Sequence, residues 1–197
     1  RCVMRAQPTA LCITDLPFAT YTTPEDALIH AKQAMQAGAQ MVKIEGGQHV
    51  CTTVSTLKQW GIPVCGHLGL TPQSVHALGG FRTQGRQEDQ AHTIAQHAQE
   101  LQEAGADLLV LECIPSSLAQ RITQDLRIPT IGIGAGPHCD GQILVTHDIL
   151  GLGPAAPMRF VKTFLDAEHP GVLPALKAYV HAVKTRTFPQ PEHEVAP

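Results

Sequence analysis

The sequence predicts a parallel α/β fold of the (β/α)8 barrel type, and three observations carry that prediction. Apolar strand-like runs alternate with amphipathic helical segments from residue 9 onward. The helix-to-strand joints are short and repeat: MQAGAQMVKIE, residues 35–45, is echoed by LQEAGADLLVLE, residues 101–112. Joints of this kind favour parallel strands. Finally, four successive strands end in one ionisable side chain of the same parity: Asp15 with Leu11 and Ile13, Lys43 and Glu45 with Met41, His67 with Pro63 and Cys65, and Glu112 with Leu108 and Val110. An open doubly wound sheet would scatter such groups along an edge, whereas a barrel turns them inward at the mouth formed by the C-terminal strand ends.

The elements follow in order. Thr9–Leu16 (TALCITDL) is the first strand; Thr22 or Thr23 caps and Pro24 opens a helix over Glu25–Gln36, which Ala37-Gly38-Ala39 closes. Strand Met41–Glu45, helix Val50–Trp60 and strand Ile62–His67 come next, with Gly61 as the helix stop. A long polar loop, Leu68–Asp89, leads into helix Gln90–Ala104, strand Asp107–Cys113, helix Ser116–Leu126 and strand Ile128–Ile133. Beyond Gly136 the pattern weakens: Gln142–Ile149 fits a short strand or a helix, Ala156–Ala167 and Val172–Lys184 fit helices, and the Pro-rich Phe188–Pro197 fits a mobile tail. One domain over residues 1–187 with that tail at 188–197 is the expected organisation.

Composition narrows the function. A net charge of −3 over 197 residues gives no basic stripe, which argues against nucleic acid as a partner. No apolar run approaches the roughly 20 residues of a membrane span, and Arg1 begins no signal-peptide pattern, so a soluble, cytoplasmic protein is expected. The six cysteines contain no CxxC pair and sit mostly in apolar runs, consistent with reduced, buried thiols.

The charged strand ends carry the chemistry. Lys43 and Glu45 lie two residues apart in MVKIEGG and share a face, which a covered strand tolerates only where the charges are paired, metal-bound or used. Asp15 and Glu45 are hard oxygen ligands suited to Mg²⁺, which takes one or two protein carboxylates and keeps waters; each also fits a loop cap. Lys43 suits a substrate carboxylate or an ion pair with Glu45. Glu112, after the run Leu108-Leu109-Val110-Leu111, is partly desolvated and suited to a general base, or else reaches solvent. His67, between Gly66 and Leu68, fits loop orientation and substrate contact equally. GIGAG, Gly132–Gly136, is not GxGxxG and precedes Pro137, so it reads as a close-approach loop over the barrel mouth and not as a dinucleotide site. His92 and His97 on their helix default to solvated surface, and Trp60 to packing at a helix end.

Five blocks in order, DLPFATYTTPEDA, MVKIEGG, PVCGHLGLTPQSV, LLVLEC and PTIGIGAGPHCDGQILVTHD, resemble the ketopantoate (3-methyl-2-oxobutanoate) hydroxymethyltransferase family. The resemblance implies a (β/α)8 TIM-type barrel of the phosphoenolpyruvate/pyruvate superfamily that binds Mg²⁺. It implies transfer of a hydroxymethyl group from 5,10-methylenetetrahydrofolate to 3-methyl-2-oxobutanoate through a Mg²⁺-stabilised enolate, the first step of pantothenate and coenzyme A synthesis. It also implies roles: Asp15 at the metal and substrate, Glu45 in the metal shell, Lys43 and His67 on the substrate, and Glu112 as proton acceptor. A homo-oligomer, a decamer in the family, is implied as well.

The family begins with two further strand–helix units, the second strand ending in an Asp-Ser pair, that have no counterpart here. The chain starts at Arg1 without methionine, so an N-terminally truncated barrel is the expectation. The alternatives are a related Mg²⁺-dependent 2-oxo acid lyase or mutase barrel, for which Cys113 and Cys139 are poor acid-base candidates, and a non-catalytic fragment.

Overall fold

In the computed structural model, which describes residues 1–153 and 157–195, six parallel strands form one sheet in strict sequence order. They are β1 Ile13–Asp15, β2 Met41–Glu45, β3 Val64–Gly69, β4 Leu108–Glu112, β5 Thr130–Ile133 and β6 Gly141–Gln142. Each strand pairs with the next: Asp15 is in register with Lys43, Glu45 with His67, and Glu112 with Gly69.

The helices are α1 Cys2–Arg5, α2 Pro24–Gln36, α3 Cys51–Gln59, α4 Glu88–Ala104, α5 Ser116–Asp125, α6 Thr146–Ile149 and α7 Val172–Lys184. Local sequence explains their limits. The Thr23 hydroxyl accepts the Asp26 N–H at 3.1 Å, and Pro24, Glu25 and Asp26 fill the first turn of α2. Helix α4 ends at Gly105, whose φ of 106° closes the last turn in the left-handed region that a side chain disfavours.

Helices α2 to α5 all cover one face of the sheet. Ala27 and Ala31, Val54 and Leu57, Ile94 and Leu101, and Leu118 and Ile122 pack on Val42, Ile44, Val64, Leu109 and Leu111 in one buried cluster. A doubly wound sheet would place helices on both faces; sequential parallel strands with one-sided helices are the arrangement of a barrel wall. The six strands curl as a half-barrel, and β1 and β6 are its open edges among the described residues. The opposite face carries Met41, Cys65, Val110 and Ile133, packed with Phe160, Phe164, Ala175 and Phe188 in a second cluster.

Several expectations are corrected. The first strand is three residues, not eight, because its partner β2 begins at Met41, opposite Ile13; the residues before Met41 are the end of α2 and its turn, from which the Gln40 N–H bonds the Cys12 carbonyl at 2.9 Å. Residues 157–167 are not helical: the Phe164 N–H bonds the Ile149 carbonyl at 2.8 Å, which directs the backbone across the chain and not to residue i−4. The start of that expected helix, Ala156, lies outside the described residues. Residues 188–195 of the segment expected as a tail instead lie against the second cluster, with Phe188 only 4% exposed and its ring 5.7 Å from that of Phe164, and residues 196–197 lie outside the described residues. Trp60 is largely exposed beside Leu28, Met35 and Ile62, so it does not pack the helix end. All six thiols are free; Cys65, Cys113 and Cys139 are buried, whereas Cys2 is exposed and Cys12 and Cys51 are half-buried. No helix among the described residues is long and apolar enough to cross a membrane.

Candidate active site

Strand parity and register bring all five predicted side chains to one end of the sheet. Lys43 Nζ lies 2.8 Å from Asp15 Oδ1 and 3.4 Å from Glu45 Oε1. Glu45 Oε1 is also 3.4 Å from His67 Nδ1, and His67 Nε2 is 3.2 Å from Glu112 Oε2. A continuous row, Asp15, Lys43, Glu45, His67, Glu112, therefore crosses four strands. Exposure falls inward from the rim: the Asp15 side chain is 51% exposed, Lys43 18% and Glu112 12%, while Glu45 and His67 are 3% exposed.

Backbone geometry places the last member. The residue in register with Glu112 is Gly69, which has no side chain, so the Glu112 carboxylate meets the next inward residue of β3, His67. The His67–Glu112 contact is short but poorly aligned, which leaves Nε2 without a well-formed hydrogen bond.

Charge in this row is set by burial and partners acting in opposition. Burial raises the Glu45 carboxyl, but His67, the Gln73 N–H and Lys43 outweigh it and hold Glu45 below its ordinary range. For His67 burial favours the neutral ring, and the two glutamates outweigh it and raise its pKa. Burial pushes the Cys65 and Cys113 thiols up to about 12, so neither supplies a thiolate near neutral pH.

Two contributors escape a reading of charged residues alone. The Gln73 N–H donates to Glu45 Oε2 at 2.9 Å, its side-chain amide donates to the Leu16 carbonyl at 2.8 Å, and the Tyr21 hydroxyl donates to Gln73 Oε1 at 2.6 Å. These contacts tie the loops after β1 and β3 around Glu45. The signal for Gln73 is its place in LTPQS, immediately beyond a strand that ends at the site. Tyr21, Gln73 and Glu45 line a cavity of about 230 Å³ together with Phe18, His49 and Ser74. Of the histidines expected at the surface, His92 is exposed but His97 is half-buried against Gly47, just beyond Glu45. The GIGAG loop does approach closely, with Gly134 against the Phe160 ring and Gly136 against Ser116.

The donor set fits a hard dication. Asp15 offers half-exposed carboxylate oxygens, and an ammonium already lies between it and Glu45. Among the described residues no group of three or more His, Cys, Asp or Glu is disposed to hold a metal, so Asp15 and Glu45 are the carboxylates that a dication at this end of the sheet would use.

A parallel barrel wall with lysine, carboxylates and a buried histidine at its strand ends defines a barrel-type α/β enzyme. Residues 1–191 match the family model for ketopantoate hydroxymethyltransferase. The chain is 54% identical over 192 residues to the 3-methyl-2-oxobutanoate hydroxymethyltransferase of Paraburkholderia phymatum, covering 98% of this chain and 70% of that protein. It is likewise 54% identical to 3-methyl-2-oxobutanoate hydroxymethyltransferase 1 of Burkholderia cenocepacia, with the same coverage. The chain belongs to the ketopantoate hydroxymethyltransferase family. Its fold also matches a crystal structure assigned as a phosphonomutase from Burkholderia cenocepacia, with TM-score 0.51 and 17% identity over 66% of this chain and 57% of that one. That likeness concerns the fold alone.

Proposed function

We propose that this chain transfers a hydroxymethyl group to 3-methyl-2-oxobutanoate, forming ketopantoate, with Glu112 as the base. The observation that carries the reading is the placement of a cation and a carboxylate, Lys43 and Glu112, on one inward face and joined through His67. The substrate has matching parts: a carboxylate to be held, and a C3 proton made acidic by the adjacent ketone.

Lys43, 18% exposed and sharing its charge with Asp15 at the rim, binds the substrate carboxylate and fixes the orientation of C3. Glu112 takes the C3 proton onto its carboxylate, and the electron pair left at C3 forms a bond to the one-carbon unit; water supplies the hydroxyl oxygen as the carbon–nitrogen bonds to the donor break, and the donor leaves with its nitrogens protonated. The donor of that unit is 5,10-methylenetetrahydrofolate in this reading. Asp15 would hold Mg²⁺ with Glu45 beside it, and when bound the ion supplies Lewis-acid polarisation of the keto oxygen. Glu45, held by the Gln73 N–H, keeps its charge beside Lys43 and His67.

Ketopantoate formation, followed by nuclear magnetic resonance with the oxo acid, methylenetetrahydrofolate and Mg²⁺ supplied, tests the reading. The folded protein is expected to form product, and folded protein that binds the oxo acid without forming product overturns it.

A further inference from the structure

We propose that His67 is a positioning residue for Glu112: its Nε2–H holds the Oε2 oxygen, so that the other carboxylate oxygen is presented to the substrate proton. The inference rests on the reading of Glu112 as the base. At 3% exposure the imidazole is buried, and the charged side chains it faces are Lys43, Glu45 and Glu112, so it acts through these neighbours.

The ring addresses a different glutamate with each nitrogen. Nδ1 faces Glu45 Oε1 and Lys43 Nζ, each at 3.4 Å, and Nε2 faces Glu112 Oε2 at 3.2 Å. An ammonium only donates, so Nδ1 has two consistent states. In one it accepts from Lys43 and the ring is neutral with its hydrogen on Nε2; in the other the ring is doubly protonated and Nδ1 donates to Glu45. Both states put a hydrogen on Nε2, aimed toward Glu112. The remaining state, with hydrogen on Nδ1 alone, would set the Nε2 lone pair against a carboxylate in a buried site, which is costly.

The two ends of the ring are held unequally. On the Nδ1 side, Glu45 is itself fixed by the Gln73 N–H. On the other side Gly69 offers no side chain to Glu112, and Glu112 Oε1 has no partner among the described residues. His67 is therefore the side chain that restrains the base, and it leaves one oxygen open.

Long-range ¹⁵N–¹H correlation spectra of histidine-labelled protein report which ring nitrogen of His67 carries hydrogen. The expected result is a protonated Nε2 whose resonance shifts in Glu112→Gln while Nδ1 stays in place. A ring protonated on Nδ1 alone overturns the proposal even if the protein turns over normally.

Kinetics supply the second arm. His67→Asn, whose amide reaches only toward the Nδ1 position, is expected to lower kcat roughly 100-fold, the scale of a misplaced reacting group, with KM for the oxo acid little changed. His67→Gln, whose amide N–H can stand in for Nε2–H, recovers most of the loss. Equal losses in the two variants, or a loss confined to KM, overturn the proposal. A wild-type protein that gives the expected spectrum and binds oxo acid, yet exchanges no C3 proton, overturns Glu112 as base and the role of His67 with it.

Discussion

Lys43 Nζ and Asp15 Oδ1, register partners on adjacent strands, lie 2.8 Å apart at the rim of the site. The Asp15 side chain is 51% exposed, and an ion pair so open to water contributes roughly 0 to 1 kcal/mol. A substrate carboxylate can therefore displace Asp15 from Lys43 at little cost. Lys43→Ala is expected to raise KM for 3-methyl-2-oxobutanoate about 10- to 100-fold, matching the roughly 1.5–3 kcal/mol of a hydrogen bond to a charged group. An unchanged KM in a variant with native circular dichroism would place the substrate carboxylate elsewhere.

The same pair makes the metal proposal testable without turnover. Asp15 is the exposed carboxylate of the row, and Glu45 has Lys43 and His67 on Oε1 and the Gln73 N–H on Oε2. Asp15→Ala should then weaken Mg²⁺ binding, measured by calorimetry with the oxo acid present, more than Glu45→Gln does. Zn²⁺ should not bind preferentially, since the set holds no thiolate. Equal Mg²⁺ affinity in wild type and an Asp15→Ala, Glu45→Ala double variant would remove the site.

Acid should weaken the fold through Glu45. Its folded pKa is depressed, so its contribution is present above the ordinary glutamate value of about 4.3 and is lost as pH falls from there through the lower folded value. Glu45→Gln should be less stable than wild type near neutral pH, and the gap in urea midpoint should close on acidification through that window. A gap that stays constant down to low pH contradicts this assignment.

Just beyond Glu45, Gly47 is buried, and a Cβ there would run into His97 Nδ1 on α4. Gly47→Ala is expected to destabilise by about 1–3 kcal/mol, the usual cost of overpacking. Adding His97→Ala should return part of that loss in a double-mutant cycle. Additive effects of the two changes would mean that the ring is not what excludes the side chain.

Much of the site was legible because strand period is local and obligatory. Once Met41–Glu45 is a strand, Lys43 and Glu45 must share a face, and parity alone sets Asp15, His67 and Glu112 beside them. The role of His67 was not legible: its distances to Glu45 and Glu112 depend on register, which a one-residue slip would destroy. Gln73 and Tyr21 were hidden for another reason. They act through a backbone N–H and neutral groups on loops, where no periodicity marks the residue that turns inward. In the fold, the β2–β5 beat was readable, whereas residues 157–167 share an apolar spacing with a helix and take their path from long-range contacts such as Phe164 to Ile149.

Proton exchange at C3 of 3-methyl-2-oxobutanoate in deuterated water, with Mg²⁺ present and folate omitted, tests the central claim most directly. In the proposed reaction abstraction by Glu112 precedes carbon transfer, so it needs no one-carbon donor. The protein is expected to exchange the C3 proton under these conditions, and Glu112→Gln to lose at least roughly 100-fold of that rate while still binding the oxo acid. Exchange at the wild-type rate in Glu112→Gln would contradict the account.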